Sequence, residues 1–343
     1  MKAKFQISKS KVLEQYMTAR QLADKVSYSS KTNQVVTKIL EKETQCMFSV
    51  HFVNELKHVE DKTRVLFLAQ AWNEEEIDSL ISLGIKNFAV DNESDLDVLI
   101  SYLEKNDVKI NLMLRLKIRE NSLRTERYFV FGMTSEVINR RVKELSENSK
   151  INELGLHFHR KTQNMSEWNY VYELSTNIEE DVLKKLSWVN MGGGLPSEYA
   201  NTNVNVFSGI FSKITEFRSW LSSFGIKLML EPGRFIAAPA GKLITQVVGI
   251  YDNNIVVNAS VYNTDMDAIL VPVKLLVEGE LKQGEGKSYV VKGSTPCSMD
   301  LFRYRVWLNE PKVGDSLIFL NAGAYNFTTN FCDLEELETE VVE

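Results

Sequence analysis

Three consecutive glycines, in Met191-Gly192-Gly193-Gly194-Leu195-Pro196, follow a short apolar run that ends at Asn190. Without Cβ atoms the backbone there can take positive φ and come close to a bound group. Amides strung along such a turn form an anion-binding hollow, although the run taken alone also suits a tight turn. A second apolar run, 226–230, ends in Glu231-Pro232-Gly233-Arg234 and so sets an acid, a rigid turn and a cation at its exit. Earlier in the chain Lys31 lies within Ser29-Ser30-Lys31-Thr32-Asn33, Glu55 follows the run 45–50, and Arg115 lies in the run 109–116. His157 and His159 fall on one face of an extended segment by the two-residue period. One of them also suits a satisfied core histidine, and the pair alone is no metal site. Outside such a setting, a lysine at a segment end is a solvated surface group.

The elements that must position these groups alternate. Short β-type runs cover 26–30, 45–50, 64–69, 87–91, 109–116, 151–159, 186–192 and 226–231, with helical patterns between most of them. Phe207, Ile210, Phe211, Ile214, Phe217, Trp220 and Leu221 keep one face of a 3.6-residue period. A second helix carries Ile77, Leu80 and Ile81 and stops by Gly84. Eight strands with mostly helical crossovers predict an α/β fold, a closed (β/α)8 TIM barrel, with an open doubly wound sheet as the alternative. In such a barrel the chemistry sits at the C-terminal strand ends, with phosphate held after strands seven and eight. The glycine triplet and Glu231-Pro-Gly-Arg234 fall there. A phosphate cradle, a lysine, an acid and a histidine facing one cavity suit a phosphorylated cofactor held covalently by an amine, which is the chemistry of pyridoxal 5'-phosphate on a lysine.

Past Arg234 the pattern turns β-rich, with runs at 242–251, 255–263, 268–278, 288–292 and 316–321 and no helix among them. This predicts a barrel domain over 1–236 and a C-terminal all-β domain over 237–343. The last residues, 333–343, are acidic and expected at the surface. A net charge of −6 without a basic run gives no footing for nucleic acid. No apolar stretch is long enough for a membrane span. Cys46, Cys297 and Cys332 are too few and scattered for a disulfide framework or a zinc site. The N-terminus has no signal-peptide core, so a cytoplasmic protein is expected.

On these motifs the chain resembles the fold-type III pyridoxal-phosphate decarboxylases, the ornithine, diaminopimelate and biosynthetic arginine group, with alanine racemase a more distant relative. The likeness runs from about residue 5 to 331. It implies the alanine-racemase-like barrel and a homodimer with shared active sites. Ser27-Tyr-Ser-Ser-Lys31-Thr-Asn33 resembles the segment whose lysine forms the Schiff base with the cofactor. Leu156-His-Phe-His159 is similar to the segment whose histidine stacks on the pyridine ring. Asn190-Met-Gly192-Gly193-Gly194 resembles the phosphate loop. Glu231-Pro-Gly233-Arg234 resembles the motif whose glutamate pairs with the pyridine nitrogen and whose arginine region helps hold phosphate. Gly323-Ala-Tyr325 is similar to the segment whose tyrosine reaches the phosphate, and Val261-Tyr262 to one supplying a substrate-side tyrosine. Glu55 and Arg115 would orient groups around the cofactor, or else form an ordinary buried ion pair.

The resemblance implies an α-decarboxylase of an amino acid or an amino-acid-derived intermediate, working through a quinonoid carbanion, with Cys297 as proton donor from the neighbouring subunit. A non-catalytic partner-binding homologue and an amino-acid racemase are the alternatives. The specificity motif departs from the family: in Gly293-Ser-Thr-Pro-Cys297-Ser298-Met-Asp300 an ungapped count puts Pro296 at the cysteine position and Cys297 at the specificity position, while a one-residue shift restores Cys297 to the proton-donor place. The acids that would recognise a distal amine are missing, whereas Arg160, Lys161, Arg303 and Arg305 stand next to pocket positions. The expected substrate therefore has a neutral or anionic distal end, as a carboxylated intermediate of siderophore or polyamine metabolism would. Tyr262, Ser298, Asp300, Arg160 and Arg303 are its candidate contacts. If the basic residues are only rim charges, Asp265, Asp267 or Asp300 is left to accept an amine.

Overall fold

The computed structural model describes residues 1–118, 130–325 and 329–343. Its first strand is β1 (Lys4–Ser8), which precedes a helix over Lys9–Leu22. The eight strands β2 (Lys25–Ser29), β3 (Met47–Val50), β4 (Val65–Ala69), β5 (Asn87–Val90), β6 (Ile110–Arg115), β7 (Ile151–His157), β8 (Trp188–Asn190) and β9 (Lys227–Leu230) then form a closed parallel barrel in chain order. The ring closes where Lys25 and Val26 pair with Met229 and Leu230. All eight expected runs become barrel strands.

Local sequence explains the crossovers. Asn73 and Glu76 cap Glu74–Ser82 reciprocally, satisfying amides a helix start would otherwise leave bare. Phe207–Ser222 buries Ile210, Ile214, Phe217 and Leu221 on the face its periodicity predicts. Inside the ring, Met47, Leu66, Ala89, Met113, Trp188 and Met229 pack into their own cluster. They come from the strand starts and middles, so that part of the barrel is solid. The open volume is left at the C-terminal rim. Among the described residues no helix is long and apolar enough to cross a membrane.

A helix over Arg234–Ala240 leads from the barrel directly into β10 (Gly241–Tyr251). The second sheet continues with β11 (Asn254–Val257), β12 (Leu276–Val277), β13 (Lys287–Lys292), β14 (Leu301–Leu308), β15 (Ser316–Leu320) and β16 (Glu338–Val342). Its order is β12-β15-β10-β11-β13-β14. Several features go beyond the expectation from sequence. β1 does not belong with the barrel residues 1–236: it pairs antiparallel with β10 and parallel with β16, burying Phe5 and Ile7. The acidic tail lies at the surface as expected, and part of it is a strand, because one edge of β1 is open to it and Lys4 meets Glu340 at 2.7 Å. Two four-residue helices, Val261–Thr264 and Asp267–Leu270, interrupt what the sequence suggests is all β; Ser260 and Asn263 form a capping box that starts the first.

Candidate active site

At the C-terminal rim a cavity of about 290 Å³ is lined by Lys31, His51, Arg115, His157, His159, Thr162, Gly193, Gly194, Glu231, Gly233, Arg234 and Tyr325, among others. Each barrel strand that reaches it delivers its group at or just past its last residue. Lys31 sits in the single turn Ser30–Thr32 after β2, and Asn33 then caps the next helix by accepting from Val35 N at 3.0 Å. The turn is tied to the far end of the ring, where Ser29 N donates to Pro232 O at 3.3 Å. A Cβ on Gly233 would lie 2.2 Å from Thr32 Oγ1, so only glycine lets the two motifs touch. Surrounding protein lowers the Lys31 pKa and Arg115 adds to this, while Glu55 and Glu231 oppose it. The balance favours the neutral, nucleophilic amine more than in free lysine.

Glu231, one residue past β9, is 4% exposed and accepts three hydrogen bonds. Oε1 takes them from Ser49 Oγ and Asn190 Nδ2, both at 2.9 Å, and Oε2 lies 3.1 Å from His157 Nε2. Burial pushes its pKa up, but His157, His51 and Ser49 outweigh that and hold the carboxyl well below the usual range. Each bond to a buried charge is worth about 1.5–3 kcal/mol. Ser49 is itself 2.7 Å from Ser27 Oγ on the neighbouring strand.

The glycine loop leaves β8 with Gly192 and Gly194 at φ +69° and +94°. Gly193 is constrained differently: a Cβ there would stand 2.7 Å from the Glu231 carbonyl oxygen. Its N–H donates to His159 Nδ1 at 3.3 Å. The His159 imidazole pKa is lowered by the surrounding protein and by Arg115 and Lys31. Both His159 and Lys31 keep an open side toward the cavity, where water reaches them. His51 on the wall is pushed down to about 3, first by burial and then by Lys31, and its buried Nδ1 has no partner.

Arg234 opens its helix and is 3% exposed. It bonds Asp267, Tyr199 OH at 3.0 Å and Thr162 Oγ1 at 3.2 and 3.3 Å, with the Tyr325 ring centroid 5.0 Å from its Cζ. Burial disfavours its charge, but Tyr199 and Asp267 outweigh that and raise its pKa. Arg115 pairs with Asp91 at 2.9 Å, while Glu55 accepts from His51 N at 3.3 Å; the two do not pair with each other. An amine of lowered pKa, an ionised acid on the barrel floor, a close-packed glycine turn, a buried arginine and the unpartnered His51 nitrogen fit a ring-bearing phosphate with an aldehyde.

The pattern of the family described as pyridoxal-dependent decarboxylase, pyridoxal binding domain, matches residues 9–238. The chain belongs to this family. It is 25% identical to a diaminopimelate decarboxylase of Aquifex aeolicus over 280 residues, 77% of this chain and 66% of that protein. Two other relatives are an antizyme inhibitor 2 of Xenopus laevis, at 23% over 72% of this chain and 58% of that one, and a 2-[(L-alanin-3-ylcarbamoyl)methyl]-2-hydroxybutanedioate decarboxylase of Staphylococcus aureus, at 23% over 54% and 50%. The chain thus spans two thirds or less of these relatives' lengths. A lysine/ornithine decarboxylase of Vibrio vulnificus, complexed with putrescine, shares the fold with a TM-score of 0.80 at 22% identity, covering 99% of this chain and 94% of that one.

This decarboxylase-family chain keeps several expected site residues away from the cavity. Arg160 bonds Glu167 at 2.6 Å and Ile118 O at 2.9 Å, and Lys161 shares Glu167. Arg303 is held by both Glu280 oxygens, at 2.7 and 3.0 Å. Asp300 accepts from Val261 N, Thr295 N and Thr295 Oγ1 at 2.9, 3.0 and 2.7 Å; it anchors its own loop. Asp267 is taken by Arg234, and Ser298 is exposed on that loop. Arg303, Asp267 and Asp300 are occupied by partners distant in sequence, whereas Arg160 and Lys161 meet Glu167 a few residues on. Tyr262 OH and Cys297 Sγ lie 3.0 Å apart, a contact that lowers the thiol pKa, and neither lines the cavity. Ser49, His51, Asp91, Thr162 and Tyr199 went unread in the sequence, and Asn190 was read only as the start of the glycine loop. For Ser49 and His51 the inward parity of the strand was the available signal.

Proposed function

We propose that the chain is a pyridoxal-phosphate-dependent α-decarboxylase of an amino acid or amino-acid-derived intermediate. The observation that carries this reading is Lys31 sharing one cavity with the ionised Glu231, the glycine loop and Arg234. When bound, the cofactor supplies an electron sink for the carbanion left as CO₂ departs. Lys31 offers the amine that binds its aldehyde covalently. Glu231, kept ionised by Ser49, Asn190 and His157, would hold a proton on the ring nitrogen and so favour the electron-rich state. His159 would face the ring, and the Gly193–Gly194 backbone, Arg234 and Tyr325 would hold the phosphate.

Cys297 is the proposed proton donor, with Tyr262 bonded to its sulfur. Because the pair stands outside the cavity of its own chain, a second copy brings it there in a symmetric homodimer. Exposed Met299 and Phe331 flank the pair, with Phe331 stacked on Tyr262 at 4.1 Å, and they suit a covered surface. This soluble dimer would work in the cytoplasm.

The substrate class that fits the cavity has a neutral or anionic distal end. Glu231 is the one carboxylate among the described lining residues, and three donors already occupy it. A distal ammonium would find no acid from this chain's described lining, and an unpaired buried charge is costly. The relative from Staphylococcus aureus, named for a carboxylated amide, supports that class. Non-catalytic partner binding is the second reading, favoured by the antizyme inhibitor relative; the intact Lys31 and Glu231 set speaks for catalysis.

The test is CO₂ release by cofactor-loaded protein from a panel of basic amino acids and carboxylated amide intermediates, with Lys31→Ala as control. Release from the carboxylated compounds, abolished in Lys31→Ala together with the cofactor's visible band, is expected. Ornithine or lysine turning over above roughly 10⁴ M⁻¹s⁻¹ in kcat/KM overturns the substrate reading. A Lys31→Ala protein with wild-type band and rate overturns the whole assignment.

A further inference from the structure

Asn190 is fully buried at the end of β8, between His157 of β7 and Met229 of β9 in the barrel register. Its amide is used at both ends. Nδ2 donates to Glu231 Oε1 at 2.9 Å, and Oδ1 accepts from Gly192 N at 2.9 Å. Gly192 O in turn accepts from Glu231 N at 2.8 Å. A closed ring of bonds therefore runs from the acid through one side chain into the glycine loop and back to the acid's own backbone. No other described residue bonds both the Glu231 carboxylate and a loop amide.

We propose that Asn190 is a positioning residue that fixes the glycine loop and the Glu231 carboxylate relative to each other, so that one side chain sets the spacing between the subsite for the cofactor's phosphate and that for its ring nitrogen. The inference rests on the cofactor reading above. A planar amide suits the task because it presents one donor and one acceptor in a rigid plane. A leucine offers neither. An aspartate keeps an acceptor for Gly192 N but sets a second carboxyl against Glu231 Oε1, where two like charges at hydrogen-bond distance cannot both persist. The two substitutions therefore separate the two ends of the ring.

The experiment compares wild type, Asn190→Leu and Asn190→Asp, titrating apo-protein with pyridoxal phosphate and with pyridoxal, which lacks the phosphate. The pH dependence of the bound cofactor's visible band is followed in parallel. In Asn190→Leu the preference for the phosphorylated ligand should fall by about tenfold or more, as expected for lost bonds around a charged group, and the pH profile of the band should shift. In Asn190→Asp the phosphate preference should stay near wild type while the profile shifts alone. An Asn190→Leu protein with wild-type preference and profile overturns the proposal. So does Asn190→Asp losing the preference as fully as Asn190→Leu, since that marks a merely structural site. If Asn190→Leu does not fold, the Asn190→Asp result decides. A wild-type protein that binds neither ligand instead sinks the cofactor reading itself.

Discussion

His157 Nε2 and Glu231 Oε2 face each other at 3.1 Å on the barrel floor, with both side chains almost wholly buried. The contact ties β7 to the residue just past β9, across the strand that carries the glycine loop. It also helps keep the acid ionised where burial alone would protonate it.

Glu231→Gln is expected to bind cofactor yet turn over roughly a hundredfold more slowly, the low end of what a proton-holding group contributes. Equal steady-state rates would refute the proton-holding role. The same carboxyl makes a pH prediction. Its folded pKa is depressed, so its stabilisation is present above the unfolded carboxylate value of about 4.3. It is lost as pH falls from there toward the folded value. Denaturant midpoints should therefore show a constant wild-type-to-Gln gap from neutral pH to about 5, narrowing below about 4.

Gly193→Val should weaken cofactor binding by about tenfold or more while leaving a folded protein. The added atoms would press on the Glu231 carbonyl, starting from a Cβ 2.7 Å away, and overpacking of this kind costs about 1–3 kcal/mol. Titration of the apo-protein measures it, and unchanged affinity would make the triplet only a turn.

Where chemistry sits on regular strand ends, the sequence was readable. Lys31, the glycine loop, Glu231 and Arg234 each follow an apolar run whose end marks the rim, so ring closure collects them. What hid was pairing across distance. Arg303 and Arg160 read as pocket charges because Glu280 and Glu167 are assigned to them only by the fold. β14 escaped notice for the same reason, since buried Arg303 breaks the strand's alternation. Ser49 and Asn190 are short polar residues inside apolar runs, and only their convergence on Glu231 gives them meaning.

Arg303→Ala tests that distinction. Arg303 is buried while Glu280 is partly exposed, so losing the guanidinium and its bonds should cost about 1–3 kcal/mol. Thermal or denaturant unfolding should show the loss, while KM for the true substrate stays near wild type. A large KM change in a stably folded variant would return Arg303 to the pocket.

The last prediction concerns Cys297, which stands 3.0 Å from Tyr262 and outside its own chain's cavity. If a second copy supplies the thiol, every site draws Lys31 from one chain and Cys297 from the other. Lys31→Ala and Cys297→Ala homodimers should each be impaired, the first completely. Mixing the two and letting subunits exchange creates heterodimers in which one site carries both lesions and the other carries neither. With random exchange about half the dimers are mixed, so about a quarter of wild-type activity should return, as the two-fold symmetry of a shared interface requires. Activity that stays at the sum of the unmixed variants, under conditions where exchange is verified by mass, would place Cys297 and Lys31 in the same chain's site and remove the shared-site dimer.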